Sequence, residues 1–339
     1  MSPLHTLARL VPLLACTLAL GGCGLVVLGP SGDVAVQQGR LVVQATLLML
    51  LIIVPVIALT ILFAWRYRQS NRSARYEPDW DHSIQLELVI WAAPLLIIIA
   101  LGALTWISTH TLDPYRPLRR VDAQRLVERE TRPLVVQAIA LDWKWLFIYP
   151  EQGIAVVNEL AAPVDRPISF KITSHSVMNS LYVPALAGMI YAMPGMETSL
   201  HAVINKAGIY QGFSANYSGA GFSDMHFKFH GLDNAGFDRW VESAKGAGGA
   251  LNRAAYLELR QPSERDPVRR FKSVAPDLWE AILNRCVEAG AKCLHQQMAD
   301  DARRQWIAAR PEQAVVAGGS VCTVDDPLGT GLGRALARD

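Results

Sequence analysis

The strongest signal of architecture in this chain is the run Leu134-Val135-Val136-Gln137-Ala138-Ile139 with its neighbour Trp143-Lys144-Trp145-Leu146-Phe147-Ile148-Tyr149. Both runs are short and rich in β-branched and aromatic residues, which is typical of β-strands. Similar runs recur at residues 168–172, 201–204 and 208–210, separated by turn signals. About one hundred residues of evenly spaced short strands indicate a β-sandwich. The sequence therefore predicts an all-β domain over residues 133–235.

Two apolar runs lie upstream of this domain, at residues 41–65 and 88–107, and neither contains a charged residue. About twenty helical residues cover the hydrocarbon core of a bilayer, so each run is long enough to span it. Hydrophobic residues make up 51% of the chain and charged residues 18%, which is too apolar for an ordinary soluble protein. We expect a two-helix transmembrane hairpin over residues 41–108 and a linker over 109–132.

The N-terminus has the pattern of a lipoprotein signal. A short start containing Arg9 leads into an apolar run that ends in Leu20-Gly21-Gly22-Cys23. In such a signal peptide, the cysteine receives a diacylglyceryl group and becomes the first residue of the mature protein. We expect a signal peptide over residues 1–22 and a lipidated segment over 23–40. An uncleaved signal anchor is the alternative.

The orientation of the hairpin follows from counting membrane crossings. A lipidated Cys23 lies on the outer face of a bacterial inner membrane, and two crossings return the chain to that face. Arginines after the first span favour the cytoplasm for the connecting loop, although arginines also follow the second span. The β domain is therefore expected in the periplasm.

A further informative stretch is Gly212-Phe213-Ser214-Ala215-Asn216-Tyr217-Ser218-Gly219-Ala220-Gly221-Phe222-Ser223-Asp224-Met225. It is similar to the copper loop of subunit II of the haem-copper cytochrome c oxidases, C-S-E-x-C-G-x-x-H-x-x-M. Aligned on Gly219 and Met225, the chain has Ser214 and Ser218 at the cysteines, Asn216 at the glutamate, Phe222 at the histidine, and Asn179 at an upstream histidine. Of these copper-ligand positions, only Met225 keeps the family residue. A mixed-valence copper pair needs bridging thiolates, which these residues do not supply.

Over residues 23–290 the chain resembles subunit II of quinol oxidases of the cytochrome bo type, which take electrons from a membrane quinol. The most specific segments, besides the degenerate copper loop, are residues 142–154, 176–180 and 191–193. The resemblance implies a cupredoxin-like Greek-key sandwich carried by the membrane hairpin. It also implies a helical arm, which helical periodicity places over residues 236–290. A mobile tail is expected over residues 291–339.

The resemblance implies a place in a proton-translocating quinol:oxygen oxidoreductase whose substrate is ubiquinol. Haems and copper are then expected in subunit I, and no metal or other cofactor in this subunit. The expected partners are subunit I above all, subunits III and IV, and membrane lipid, but not cytochrome c. The formal net charge of +2 is too small and dispersed for nucleic-acid binding.

Glu87 is the one candidate for a chemical role. It lies at the cytoplasmic edge of the second span, seven residues before Pro94, where family members carry a carboxylate at the mouth of a proton-uptake channel. A carboxylate at the rim of the hydrocarbon is unfavourable unless it is hydrated or paired, so such positions are functional candidates. A solvated glutamate at a helix end is the alternative.

The other candidate residues have structural roles. Trp143 and Trp145 match an aromatic strand of the cytochrome c oxidases and are expected to be buried or to pack the sandwich onto subunit I. Met178 and Met225 are expected in the core. The polar residues at the degenerate copper positions are expected to form a hydrogen-bonded network that fills the former metal cavity. These residues are Asn179, Ser214, Asn216 and Ser218.

Three late cysteines, Cys286, Cys293 and Cys322, are expected to be free or partly paired. A continuous helix would hold the first two near 10 Å apart, so a bridge requires the helix to end near Gly290. Two other functions compete with the oxidase subunit. One is a stand-alone periplasmic membrane lipoprotein that binds a partner or assists copper-oxidase assembly. The other is a copper-bearing cytochrome c oxidase subunit, against which the ligand losses argue.

Overall fold

A computed structural model describes residues 26–309, except Tyr76, Pro78 and Arg129. The predicted signal peptide over residues 1–22, the lipidation site Cys23 and the late Cys322 lie outside the described residues.

Two long helices form the predicted membrane hairpin, α1 (Asp33–Arg66) and α2 (Ile84–Thr111). Their best 18-residue windows have mean hydropathies of 3.1 and 2.5, and these windows are almost entirely exposed. Both helices are thus long and apolar enough to cross a membrane, with side chains that suit lipid. Each extends beyond the charge-free run that predicted it, because polar residues continue the helix at both ends.

The β domain consists of two packed sheets, as predicted. Its strands are β1 (Leu134–Leu141), β2 (Lys144–Tyr149), β3 (Ile154–Val157), β4 (Glu159–Pro163), β5 (Ile168–Ser174), β6 (Asn179–Tyr182), β7 (Ile190–Ala192), β8 (Thr198–Ala202), β9 (Gly208–Ser214) and β10 (His226–Leu232). One sheet has the order β3-β2-β1-β5-β8 and the other β4-β10-β9-β6-β7. The pairs β1–β5 and β4–β10 are parallel, which requires crossovers between the sheets.

Strand β2 is buried along its whole length because it faces a core on each side. Trp145, Phe147 and Tyr149 point into the core between the two sheets. Leu146 and Ile148 point the other way, into a second core on the outer face of the same sheet. This alternation is the period of two that an extended strand imposes.

The second core is closed by the C-terminal arm. The arm contains α3 (Asn234–Gly246), β11 (Ala250–Leu251), α4 (Arg253–Leu259), β12 (Arg269–Phe271), β13 (Ser273–Val274) and α5 (Leu278–Leu283). Its side chains Tyr256, Leu278 and Trp279 pack on Leu146 and Ile148 of β2. Strand β12 also pairs with β3 and so extends the first sheet. The expected helical arm is present, and it forms a third layer of the domain.

Two expectations about the C-terminal end are wrong. The mobile tail expected from residue 291 instead begins with a helix, α6 (Leu294–Ala309). Cys286 and Cys293 form a disulfide, with their Cα atoms 4.8 Å apart. The helix that precedes them, α5, ends at Leu283, so the chain turns back instead of holding the two cysteines apart. The Leu294 backbone N–H donates to the Asn284 carbonyl at 2.8 Å, which fixes the start of α6 beside this bridge.

Candidate functional site

Strand pairing brings the degenerate copper positions together. Strand β6 begins at Asn179, and β9 ends at Ser214. These strands are antiparallel neighbours, with Leu181 opposite Ser214. The loop after β9 passes through a short 3₁₀ turn at Phe222–Asp224 and returns as β10. The frame of the old metal site is thus built from backbone pairing and needs no metal to form.

A hydrogen-bonded network links three of the degenerate positions. The Ser214 hydroxyl donates to Asn179 Oδ1 at 3.1 Å, and Asn179 Nδ2 donates to the Val177 carbonyl at 3.1 Å. Asn216 Nδ2 donates to the Met178 carbonyl at 3.0 Å. Asn179 and Ser214 are buried, so these bonds replace the water that the two polar groups lose on folding. The structure brings Asn179, Ser214 and Asn216 together as expected.

The remaining degenerate positions behave differently. The Ser218 hydroxyl is buried and has no hydrogen-bond partner in the described part of the chain, so its expected place in the network is wrong. The Phe222 ring packs edge-on against Tyr217, with centroids 5.6 Å apart. Met225 is buried in the core between the sheets, as expected. Met178 is instead 42% exposed, because it precedes the first buried residue of β6.

The residues at these positions do not fit a dinuclear copper centre. They offer an amide, hydroxyls, an aromatic ring and one thioether, whereas the copper pair needs soft anionic sulfur. Cys286 and Cys293 are bonded to each other. Within the described ranges, no group of three or more His, Cys, Asp or Glu side chains could hold a metal ion. No chemical step of this subunit is therefore routed through copper.

Trp145 and Trp143 occupy different environments. Trp145 is fully buried between the sheets, stacked on Phe147 with centroids 6.2 Å apart. The expectation that Trp145 packs at a subunit interface is wrong, because inward alternation on β2 points its ring into this chain's own core. Trp143 precedes β2 and is half-buried, so its place at an interface stays a prediction.

Trp143 braces the degenerate loop. Its indole N–H donates to the Ser218 carbonyl at 3.0 Å. Its ring lies so close to Gly221 that a Cβ there would stand 2.6 Å from a ring carbon. Trp143 itself has a φ of +66°, a left-handed conformation that is unusual for a residue other than glycine. This contact holds the loop against the start of β2.

Glu87 lies in the first turn of α2, immediately after the Ser83 N-cap. Its carboxylate is 2.7 Å from the Nδ1 atom of His82, and both side chains are about half exposed. Sequence reasoning missed His82, although a histidine five residues from a membrane-edge carboxylate was a visible signal. The two groups form a titratable pair at the end of the second span.

A buried ion pair that sequence reasoning missed joins the arm to the sandwich. Lys144 and Asp266 each have side chains 2% exposed, and their charged groups lie 3.2 Å apart. Lys144 Nζ also donates to the Gln261 carbonyl at 2.8 Å and to Ser263 Oγ. Burial raises the pKa of Asp266, but hydrogen bonds from Arg269, Ser263 and Lys144 outweigh it and lower that pKa, so the carboxylate stays ionised.

Comparisons with known proteins place these features. The family model for the periplasmic domain of cytochrome c oxidase subunit II matches residues 151–230, and the model for the COX aromatic-rich motif matches residues 245–290. The chain is 50% identical over 272 residues to cytochrome bo(3) ubiquinol oxidase subunit 2 of Pseudomonas aeruginosa, which covers 80% of each chain. It is 50% identical over 281 residues to ubiquinol oxidase subunit 2 of Acetobacter aceti, which covers 82% of this chain and 88% of that one. The periplasmic domain of cytochrome oxidase subunit II of Bradyrhizobium japonicum is 24% identical, with a TM-score of 0.33 over 33% of this chain and 94% of that structure.

Proposed function

Because the chain belongs to the ubiquinol oxidase subunit 2 family, we propose that it serves as the copper-less second subunit of a proton-translocating ubiquinol:oxygen oxidoreductase. Its two apolar helices anchor it in the membrane. The haems, the copper and the quinol site then belong to subunit I, which this chain anchors, covers and completes. Subunits III and IV are the other partners.

The observation that carries this proposal is the bond between Ser214 and Asn179 at the former ligand positions. A subunit that accepts electrons from cytochrome c needs a redox centre on its outer domain, and this pair has no donor suited to one. Electrons from a membrane quinol need no such entry port. The loss of the ligands and the use of ubiquinol are thus consistent with each other.

The proposal includes the location of the protein. Cys23 carries the lipid anchor at the outer face of the bacterial inner membrane, and the sandwich and arm stand in the periplasm. The support is the lipobox at residues 20–23 together with the two membrane-length helices, which return the chain to its starting face. Glu87, at the opposite end of α2, then faces the cytoplasm. There it gathers protons for uptake, with His82 beside it.

Restoring the family ligands tests the alignment on which this proposal rests. We expect the quintuple variant Asn179→His, Ser214→Cys, Asn216→Glu, Ser218→Cys and Phe222→His, purified as the full chain and supplied with copper, to show a thiolate-to-copper absorption band. The wild type should show none. A matched control carries the same histidine and glutamate changes with Ser214→Ala and Ser218→Ala, and it should lack the band because it has no thiolate.

Two results would contradict the proposal. A folded quintuple variant that binds no copper would show that these positions do not form the former site. Stoichiometric copper in the wild-type chain would refute the copper-less reading. In parallel, the assembled wild-type complex should consume oxygen with ubiquinol and not with reduced cytochrome c.

A further inference from the structure

A cavity of about 310 Å³ lies where both membrane helices meet the β domain. Its walls come from the first turns of α1, the end of α2, the linker that follows and the edge of the β domain. They combine the apolar side chains of Leu112, Leu118 and Leu200 with three arginines, Arg116, Arg119 and Arg120. The cavity therefore offers an apolar wall and a cationic rim at the same place.

The helices set the depth of this cavity relative to a bilayer. Gln37 precedes the charge-free run of α1, which starts at Leu41, by about 6 Å along the helix axis. Thr111 follows the last residue of the α2 run, Ile107, by about 6 Å as well. The headgroup layer on each side of the hydrocarbon core is roughly 5–7 Å thick. Both residues line the cavity, which thus lies at the level of the lipid headgroups.

One wall of the cavity is already neutral and fixed. Asp33 is 4% exposed and accepts two hydrogen bonds from Arg120, at 2.8 and 3.0 Å, and one from Gln37 at 2.8 Å. This pairing satisfies the buried carboxylate and holds α1 against the linker. It leaves Arg116 and Arg119 as the positive charges that remain available to a ligand.

The two available arginines outnumber the acidic groups that remain. Arg116 donates to the His110 carbonyl at 3.1 Å and has further N–H groups to offer. Arg119 is exposed, and none of its side-chain contacts lies within the described bonds or ion pairs. Asp113 accepts a bond from the Tyr115 backbone N–H at 3.0 Å. The rim therefore has a surplus of positive charge.

We propose that this cavity binds the phosphate of an anionic phospholipid of the outer leaflet. Arg116 and Arg119 hold the phosphate, because the planar guanidinium group matches two phosphate oxygens at once. Leu112, Leu118 and Leu200 contact the glycerol backbone and upper acyl carbons. Inorganic phosphate shares the anionic chemistry but leaves these apolar walls without a partner. The bound lipid would join the hairpin to the β domain, a role beyond that of the oxidase subunit proposed above.

The test uses the full chain in detergent micelles, titrated separately with phosphatidylglycerol, phosphatidylcholine and inorganic phosphate. Native mass spectrometry measures the fraction of protein with bound lipid. We expect phosphatidylglycerol to be retained over phosphatidylcholine, and the Arg116→Gln/Arg119→Gln variant to bind it about thirtyfold more weakly, since each cationic side chain near a membrane surface contributes roughly a fivefold preference. Arg116→Lys/Arg119→Lys should keep most of the preference. Lys228→Gln/Lys272→Gln removes the same charge outside the cavity and should bind as the wild type does.

Three results would overturn the proposal. The first is equal retention of the two lipids by the wild type. The second is an equal loss of binding in the arginine variant and the Lys228/Lys272 control, which would show a general charge effect. The third is displacement of the lipid by millimolar inorganic phosphate, which would assign the site to the free anion. Unchanged thermal unfolding of the arginine variant checks that lost binding is not lost folding.

Discussion

At the scale of single residues, the degenerate copper loop shows how a metal site becomes a structural one. Asn179 and Ser214 are held on paired strands, so they are adjacent whatever their chemistry. Each accepts or donates a bond to the other, and such a bond contributes about 1 kcal/mol, whereas an unpaired buried polar group costs roughly 1–3 kcal/mol. Replacing one without the other is therefore worse than replacing both.

Glu87 is the residue at which the proton-uptake proposal stands or falls. We expect Glu87→Ala to lower the oxygen consumption of the assembled complex at saturating ubiquinol, with haem content unchanged. Its carboxylate lies at a helix end, half exposed and paired with His82, where it can gather protons and pass them inward through water. Glu87→Asp keeps the carboxylate and should be milder.

The pH dependence of this effect separates proton uptake from a loss of structure. Protons are more abundant at low pH, so the difference between Glu87→Ala and the wild type should shrink as the pH falls. Glu77→Ala is a suitable control, because Glu77 lies in the same loop and pairs with Arg75 instead. Unchanged turnover of Glu87→Ala at every pH would return Glu87 to the class of solvated helix-end glutamates.

Sequence reasoning located the loop residues but not all of their contacts. The network of Asn179, Ser214 and Asn216 could be predicted, because alignment with a ligand set implies proximity. The separate fate of Ser218 could not, because the loop there is shaped by Trp143, which lies 75 residues earlier and in a left-handed conformation. Met178 was misplaced for a similar reason, since burial begins only where β6 starts to pair.

At the scale of secondary-structure elements, the arm and the sandwich are held together by both apolar packing and charge. Lys144 begins β2 on the same face as Leu146 and Ile148, the face that the arm covers. Its partner Asp266 lies far along the sequence, in the segment before β12. A lysine in an apolar strand signals a special environment, but one sequence does not reveal a partner at this separation. The disulfide was missed likewise, because the end of α5 depends on this packing.

Removing the buried cation should loosen the arm. We expect Lys144→Met to lower the free energy of unfolding by about 3 kcal/mol, the lower end for breaking a buried pair, because Arg269 still contacts Asp266. Lys171→Met is the matched control. Lys171 pairs with Glu197 on the surface, where such a pair contributes about 0–1 kcal/mol. Denaturant unfolding of the full chain in detergent measures both, and equal losses would mean that the Lys144 pair is no stronger than a surface one.

At the scale of the whole molecule, the hairpin and the β domain are directly joined. The backbone N–H groups of Ser31 and Gly32 donate to the Ala185 carbonyl at 3.0 and 2.8 Å. Gly32 lies so close to the Leu186 backbone that a Cβ there would stand 2.6 Å from the Leu186 carbonyl oxygen. With the Asp33–Arg120 pair, these contacts fix the outer end of α1 to the domain. The sequence predicted both parts but not this joint, which depends on contacts distant along the chain.

The membrane anchoring of the molecule predicts the result of blocking its lipidation. We expect Cys23→Ser to prevent acylation and signal cleavage and yet leave the protein in the membrane fraction. Acyl chains add about 0.8 kcal/mol per buried methylene, whereas insertion of a transmembrane helix is effectively irreversible, and this chain has two helices of that length and hydropathy. Labelled palmitate incorporation and the mass of the mature chain measure the first effect, and membrane fractionation the second. Cys16→Ser, inside the predicted signal peptide, is the control and should be lipidated and cleaved normally. If Cys23→Ser protein appears in the soluble fraction, the helices α1 and α2 do not hold this chain in the membrane, and the hairpin assignment is wrong.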